Sequence, residues 1–221
     1  MLGATLFLFM FAENSSGLGM PSLQRIYVTM CRLRQSLGFG VHSPYIYALQ
    51  TDVFRERRPY YAYRAIDRLS GPRHARVNKL LFRLVNHLHP ACIVEVGPDM
   101  GGSLQCMSMA RAQACLRAVR ECAGHFTTAM LEQLLPPDRP LDFLYVTHPC
   151  AYAEVYEAAL PLSGPRSVFV FKGIHASRER SAWWRTVEED AARTGITFDL
   201  YDVGLVFFDR GRPRRNYRMM F

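Results

Sequence analysis

Two short stretches hold residue types that could do chemistry. The first is Val94-Glu95-Val96-Gly97-Pro98-Asp99-Met100-Gly101-Gly102-Ser103, where an acid inside an apolar run is followed by glycines and a hydroxyl. Glycine lets a backbone turn sharply and approach a ligand closely, so Gly97, Gly101 and Ser103 are candidate cofactor-binding residues. A structural tight turn explains the Gly-x-x-x-Gly-x-Ser spacing nearly as well. The second stretch is Lys172-Gly173-Ile174-His175, at the end of the apolar run Ser167 to Phe171. An ammonium and an imidazole at that place are candidates for proton transfer, because histidine titrates near pH ~6.5. A histidine bonded to backbone at a strand-helix junction is the plainer alternative for His175.

Both stretches depend on elements that the hydrophobic pattern predicts. Ala91 to Val96 is a short continuous apolar run ended by Gly97, as expected of a strand buried on both faces, and helical spacing follows from Gly101 to Gln113. Further strand-like runs are Cys115 to Val119, Leu141 to Val146, Ser167 to Phe171, Ile196 to Tyr201 and Gly204 to Phe208, with a helix predicted over Ser177 to Thr194. Strands alternating with helices imply a mostly parallel α/β sheet with helices on both faces. Only Asp202 and Val203 separate the last two strands, too few for a crossover, so these should form an antiparallel hairpin. Ahead of the sheet the spacing predicts helices over Pro21 to Leu37, Ser43 to Arg55 with Ser43 as N-cap and Pro44 first, Tyr60 to Leu69, and Arg73 to Leu88. The last carries Val77, Leu80, Leu81, Leu84 and Val85 on one face.

The 221 residues suit one domain, over 20–221, with 20–90 helical and 91–221 forming the sheet core. Residues 1–19 read as an extension outside the core. Its apolar opening, Met1 to Ala12, lacks a positive n-region and is shorter than the ~20 residues of a membrane helix. Net charge is +8, but Lys79 and Lys172 are the only lysines among 27 basic residues, a bias of base composition rather than a sign of nucleic-acid binding. The run Arg210, Arg212, Arg214, Arg215 and Arg218 reads first as a solvated tail or edge strand and second as a phosphate-holding patch. Six cysteines without C-x-x-C spacing read as reduced, which places the protein in the cytoplasm.

The segment Ile93-Val94-Glu95-Val96-Gly97 with Gly101 and Ser103 resembles motif I of the class I S-adenosylmethionine-dependent methyltransferases. Gly40-Val41-His42-Ser43-Pro44-Tyr45-Ile46-Tyr47, Tyr60-Tyr61-Ala62-Tyr63, the run from Lys79 to Val85, Leu141-Asp142-Phe143, Ile174-His175 and Gly204 to Phe208 extend the resemblance, over roughly 30–221, to a bacterial O-methyltransferase-like group. The resemblance implies a Rossmann-like fold and S-adenosylmethionine as cofactor. Glu95, Gly97, Gly101 and Ser103 would hold its methionine end.

Against that pattern the chain departs in two places. At the end of the second strand Arg120 aligns with the acid that takes the ribose hydroxyls, and Glu121, one place later, is the remaining candidate. The chain then passes almost directly into Gly124-His125-Phe126, so about one helix and one strand of the family's pattern are missing and Cys115 to Val119 should lie at a sheet edge. Where metal-dependent relatives carry carboxylates for a hard cation, Val146-Thr147-His148-Pro149 and Phe171-Lys172-Gly173-Ile174-His175 have none, so no metal is expected. The expected activity is O-methyl transfer to a small molecule without metal, with Lys172 and His175 assisting deprotonation. The alternative is a degenerate relative, kept as a binding or scaffold module. An oligomer of identical chains is compatible with either.

Overall fold

The computed structural model describes residues 43–120, 126–137 and 139–221. The helix expected over 21–37, the extension over 1–19 and Glu121 lie outside the described residues. Helix α1, Pro44–Leu49, runs on as a π-helical turn, Gln50–Phe54. Ser43 is its N-cap residue in extended conformation, but its side chain makes no capping bond. The two helices expected next form one long element, α2, Tyr63–Leu88, broken at Gly71 (φ 59°, ψ 176°) with Pro72 behind it. Glycine takes the non-helical angles and proline opens the second segment. The predicted stripe of Val77, Leu80, Leu81, Leu84 and Val85 is buried.

Among the described residues seven strands follow: β1 Cys92–Val96, β2 Cys115–Val119, β3 Phe143–Val146, β4 Val168–Lys172, β5 Thr197–Asp199, β6 Val203–Phe207 and β7 Asn216–Arg218. Between them lie α3 Ser103–Ala110, α4 Thr128–Glu132, α5 Tyr152–Ala159 and α6 Arg178–Glu189. The sheet order is β2-β1-β3-β4-β6-β5-β7. Strands β1 to β4 are parallel, and β6 is antiparallel to both β4 and β5. This is the mostly parallel, Rossmann-like sheet with a C-terminal antiparallel pair that the sequence predicts. β2 forms one edge, and its residues are partly or fully exposed where β1 is wholly buried. The other edge is β7, parallel to β5, drawn from the arginine-rich segment.

Successive strand residues point to opposite faces, and each face carries its own core. Ile93, Tyr145, Val168 and Val170 join α1 and α2 on one side, while Val94, Val96, Phe169 and Phe171 join Leu131, Tyr156 and Trp184 on the other. Helix α6 begins where Ser177 Oγ accepts from the Arg180 amide at 3.1 Å, and it lays Trp184 over Gly204 of β6. Asp142, from the Leu141-Asp142-Phe143 motif, accepts the Ala91 and Cys92 amides at 2.8 and 3.1 Å, at the amino end of the sheet. That residue fixes strand register and stands apart from the crevice. Among the described residues no helix is long and apolar enough to cross a membrane.

Candidate functional site

In an open parallel sheet ligands sit outside the carboxyl ends of the strands. Here those ends bring up the loop 97–103 from β1, Arg120 from β2, Thr147 from β3 and Lys172 from β4. The loop is shaped by glycines with positive φ: Gly97 at 112°, Gly101 at 67° and Gly102 at 72°. At the first two a side chain would also collide with the protein. A Cβ on Gly97 would stand 2.4 Å from the His148 amide nitrogen, and one on Gly101 2.9 Å from Ser70 Cα. Gly101 therefore packs on the α2 kink and Gly97 on the end of β3, so both glycines serve the loop's seat in the fold. The left-handed pair Gly101-Gly102 also explains why α3 starts at Ser103, later than the spacing predicts.

Glu95, Asp99 and Ser103 form one bonded group. Ser103 Oγ contacts Glu95 Oε1, lies 3.0 Å from Asp99 Oδ1 and accepts from the Met100 amide at 3.3 Å, while the Ser103 amide donates to Asp99 Oδ1 at 2.9 Å. Serine has one hydroxyl proton, so it cannot donate to both carboxylates at once. A protonated Glu95 resolves this by donating to Ser103, whose own proton then goes to Asp99. Burial does push the Glu95 carboxyl up to about 7, opposed by the Ser103 bond and Arg120 and reinforced by Asp99. Its other oxygen, Oε2, has no hydrogen bond, and the Arg120 guanidinium stands 3.4 Å away at ion-pair distance. The same Arg120 nitrogen donates to Gly97 O at 3.2 Å.

Around this group lie two buried polar atoms without a hydrogen-bond partner among the described residues, Tyr145 Oη and Asn78 Oδ1. Tyr145 is the register neighbour of Glu95 on β3, and burial, with the Glu95 and Asp99 charges added, holds its phenol far above the ordinary range. Asn78 donates to Ser70 Oγ, Met100 O and Gly101 O at 2.8, 2.8 and 3.0 Å, fastening the loop to α2. Buried polar groups are nearly always hydrogen-bonded, so Tyr145 Oη and Asn78 Oδ1, beside a Glu95 Oε2 held only at ion-pair distance by Arg120, mark a place where a ligand or water belongs.

Lys172 and His175 point to different neighbours. Lys172 Nζ lies 2.9 Å from His74 Nδ1, on the segment of α2 beyond the kink, and feels the charges of Asp202 and Glu95. His175 Nε2 lies 2.9 Å from Asp199 Oδ2 and Nδ1 3.2 Å from Ser181 Oγ, with Tyr201 beside the ring at 5.5 Å. It thus ties the β4 exit to β5 and α6 by side-chain bonds, where the plainer sequence reading expected backbone. Thr147 Oγ1 donates to Pro98 O at 2.8 Å, binding the β3 end to the loop. Among the described residues no three His, Cys, Asp or Glu side chains are grouped as a metal site. Sequence reasoning missed Asn78, Tyr145 and His74; the Gly71-Pro72 break was the one local signal that the residues just after it are placed specially.

The residues fit S-adenosylmethionine at one end only. Tyr145 Oη and Asn78 Oδ1, which have no hydrogen-bond partner, and Glu95 Oε2, met only by Arg120, suit a ligand's amino and other polar groups. The position that the resemblance gives to the ribose acid holds Arg120, which has donors and no acceptor for hydroxyl protons.

No family model matches the chain, and no curated protein matches it in sequence. Solved structures do match. The O-methyltransferase TomG from Streptomyces achromogenes, involved in tomaymycin synthesis and in complex with S-adenosylmethionine, is 18% identical with a TM-score of 0.48, over 74% of this chain and 94% of that one. An O-methyltransferase from Bacillus cereus in complex with S-adenosylhomocysteine is 13% identical with a TM-score of 0.42, over 73% and 96%. The S-adenosylhomocysteine-bound methyltransferase PaMTH1 of Podospora anserina is 12% identical with a TM-score of 0.46, over 88% and 99%. Similarity at this level concerns the path of the chain. The chemistry rests on the residues above.

Proposed function

We propose that the chain is an S-adenosylmethionine-dependent methyltransferase that moves a methyl group to an oxygen of a small molecule without a metal. One observation carries this reading: the buried Tyr145 Oη and Asn78 Oδ1 left without a hydrogen-bond partner beside the loop 97–103, next to a Glu95 Oε2 met only by Arg120 at 3.4 Å, at the strand ends where a cofactor's methionine portion would lie. When bound, the cofactor supplies an electrophilic methyl group. Glu95, Tyr145 and Asn78 bind its polar end, and Ser103 holds Glu95 in place. Lys172 assists by stabilising or accepting charge at the acceptor oxygen, and His175 orients the β4 exit through Asp199. Methyl transfer is mainly a matter of aligning donor and acceptor, which a fixed loop can supply without a divalent ion. A reducing compartment, the cytoplasm, accords with the four described cysteines, all of them free.

A second reading, a degenerate relative that serves as a binding module, is favoured by Arg120. Its guanidinium bridges Gly97 O and Glu95 where relatives would present an acid to ribose. Losing that charge-assisted bond costs about 1.5–3 kcal/mol of affinity. Calorimetric titration with S-adenosylmethionine and S-adenosylhomocysteine separates the readings. Saturable heat at micromolar cofactor, unchanged by chelator, is the expected result; no heat up to millimolar cofactor rejects the methyltransferase and leaves the module.

A further inference from the structure

The bond between Lys172 Nζ and His74 Nδ1, 2.9 Å long, joins the end of β4 to the α2 segment beyond the kink. An ammonium can only donate, so Nδ1 accepts and the imidazole keeps its proton on Nε2. The pair stands against the cofactor loop: a Cβ on Gly101 would meet His74 Cβ at 3.2 Å. Burial lowers both groups. For His74 the Lys172 charge and then Arg73 lower it further, while for Lys172 Asp202 and Glu95 oppose the effect. Arg76 lies 3.8 Å from Asp202 and moderates that carboxylate. His74 is therefore a neutral base at neutral pH, held against an ammonium that is half-buried in the crevice.

We propose that Lys172 and His74 act as a single proton-accepting unit for the acceptor oxygen, with Lys172 touching the acceptor and His74 receiving the proton through it. The inference rests on the methyltransferase reading above. In the step, Lys172 gives an N–H proton to His74 Nδ1 and takes the acceptor's O–H proton. An imidazolium, an ammonium and an oxyanion result, and the electron pair of the O–H bond stays on oxygen. His74 is thus a positioning residue that also stores the proton, and Nε2 passes a proton on to solvent. This unit replaces what a metal does in other enzymes, lowering the cost of the oxyanion by a nearby positive charge.

Two measurements test it. The first needs neither cofactor nor acceptor: imidazole titration by nuclear magnetic resonance, with the His74 signal assigned through its loss in His74→Gln. Wild-type His74 should titrate below the ordinary value of about 6.5, and Lys172→Met should raise its midpoint by removing the adjacent charge. A midpoint unmoved by Lys172→Met overturns the unit. The second follows label from methyl-labelled S-adenosylmethionine into a panel of phenols and carboxylic acids. Transfer should rise with pH through the His74 midpoint. His74→Gln, whose amide oxygen accepts from Lys172 but takes no proton, should bind cofactor normally, lose the pH step and transfer about 10²-fold more slowly, as for loss of a general base. Wild-type rates and pH profile in His74→Gln refute the unit and leave the methyltransferase standing. Cofactor that gives no binding heat defeats both together. If cofactor binds and no acceptor takes label, the titration decides alone.

Discussion

Glu95 sets the sharpest expectation at the scale of single residues. Its carboxyl titrates near 4.5 when exposed and is pushed up to about 7 in the fold, chiefly by burial. Between those values the native state holds a proton that the unfolded chain releases, so this group's contribution to stability is complete at low pH and falls as pH rises through 7. Glu95→Gln keeps a donor toward Ser103 through its amide and removes the titration. Relative to that variant, the wild type should lose on the order of 3 kcal/mol from about pH 5 to about pH 8. Denaturant midpoints measured across this range check it, and parallel curves for the two proteins would show that Glu95 is not buried as described. Glu95 and Ser103 were legible in the sequence because their spacing is local. Tyr145 and Asn78 were not, since an unpaired hydroxyl or amide is visible only once strand register and helix packing are known.

Among the elements, helix α6 and strand β6 meet at one close contact. A Cβ on Gly204 would lie 2.6 Å from Trp184 Cη2 and 2.9 Å from Ile174 Cγ2. Trp184 is almost wholly buried, so the ring cannot swing away. Gly204→Ala should therefore cost about 2 kcal/mol of stability, and a Trp184→Phe background should remove roughly 1 kcal/mol of that cost through direct coupling. A double-mutant cycle by chemical denaturation reads both quantities, and additive costs would refute the contact. Apolar periodicity located β2 with its observed bounds and the buried face of α2. It set the limits of α3 and α6 too wide, because left-handed glycines and the Asp190 cap, where φ is −70° and ψ 79°, stop helices that periodicity alone would continue.

The whole molecule carries a net charge of +8, and the arginine-rich segment is where that charge would be offered to a polyanion. The fold employs it otherwise. Arg218 pairs with Glu188 at 3.0 Å, Arg212 with Asp209 at 2.7 Å, and Arg210 donates to Ala192 O at 2.7 Å. Asn216 Nδ2 and Arg214 both donate to Glu188 O, so the segment fastens β7 to the end of α6. Binding to single-stranded RNA should accordingly be weak and vanish by about 0.2 M salt, as for attraction by charge alone. A saturable complex surviving that salt, measured by fluorescence anisotropy, would bear out the phosphate-holding reading of this segment. The edge-strand alternative for this segment was available from sequence; its partner β5 was not, because parallel pairing across a hairpin leaves no local signature.

The insertion of β6 between β4 and β5 has a consequence for how the chain reaches this state. Strands β1 to β4 pair in parallel without help from later residues, whereas β5 touches the sheet only through β6. Strand β5 can join only with β6 beside it, and β6 reaches β4 by joining Val168 to Phe207 across a long stretch of chain whose entropy is lost before any contact repays it. Until then β4 stands as a bare, apolar edge through Phe169, Val170 and Phe171, the kind of edge that pairs readily with another chain. The interval before β6 docks is thus when the chain is most open to association with its own copies, and Val203 to Phe207 both extends the sheet and protects it.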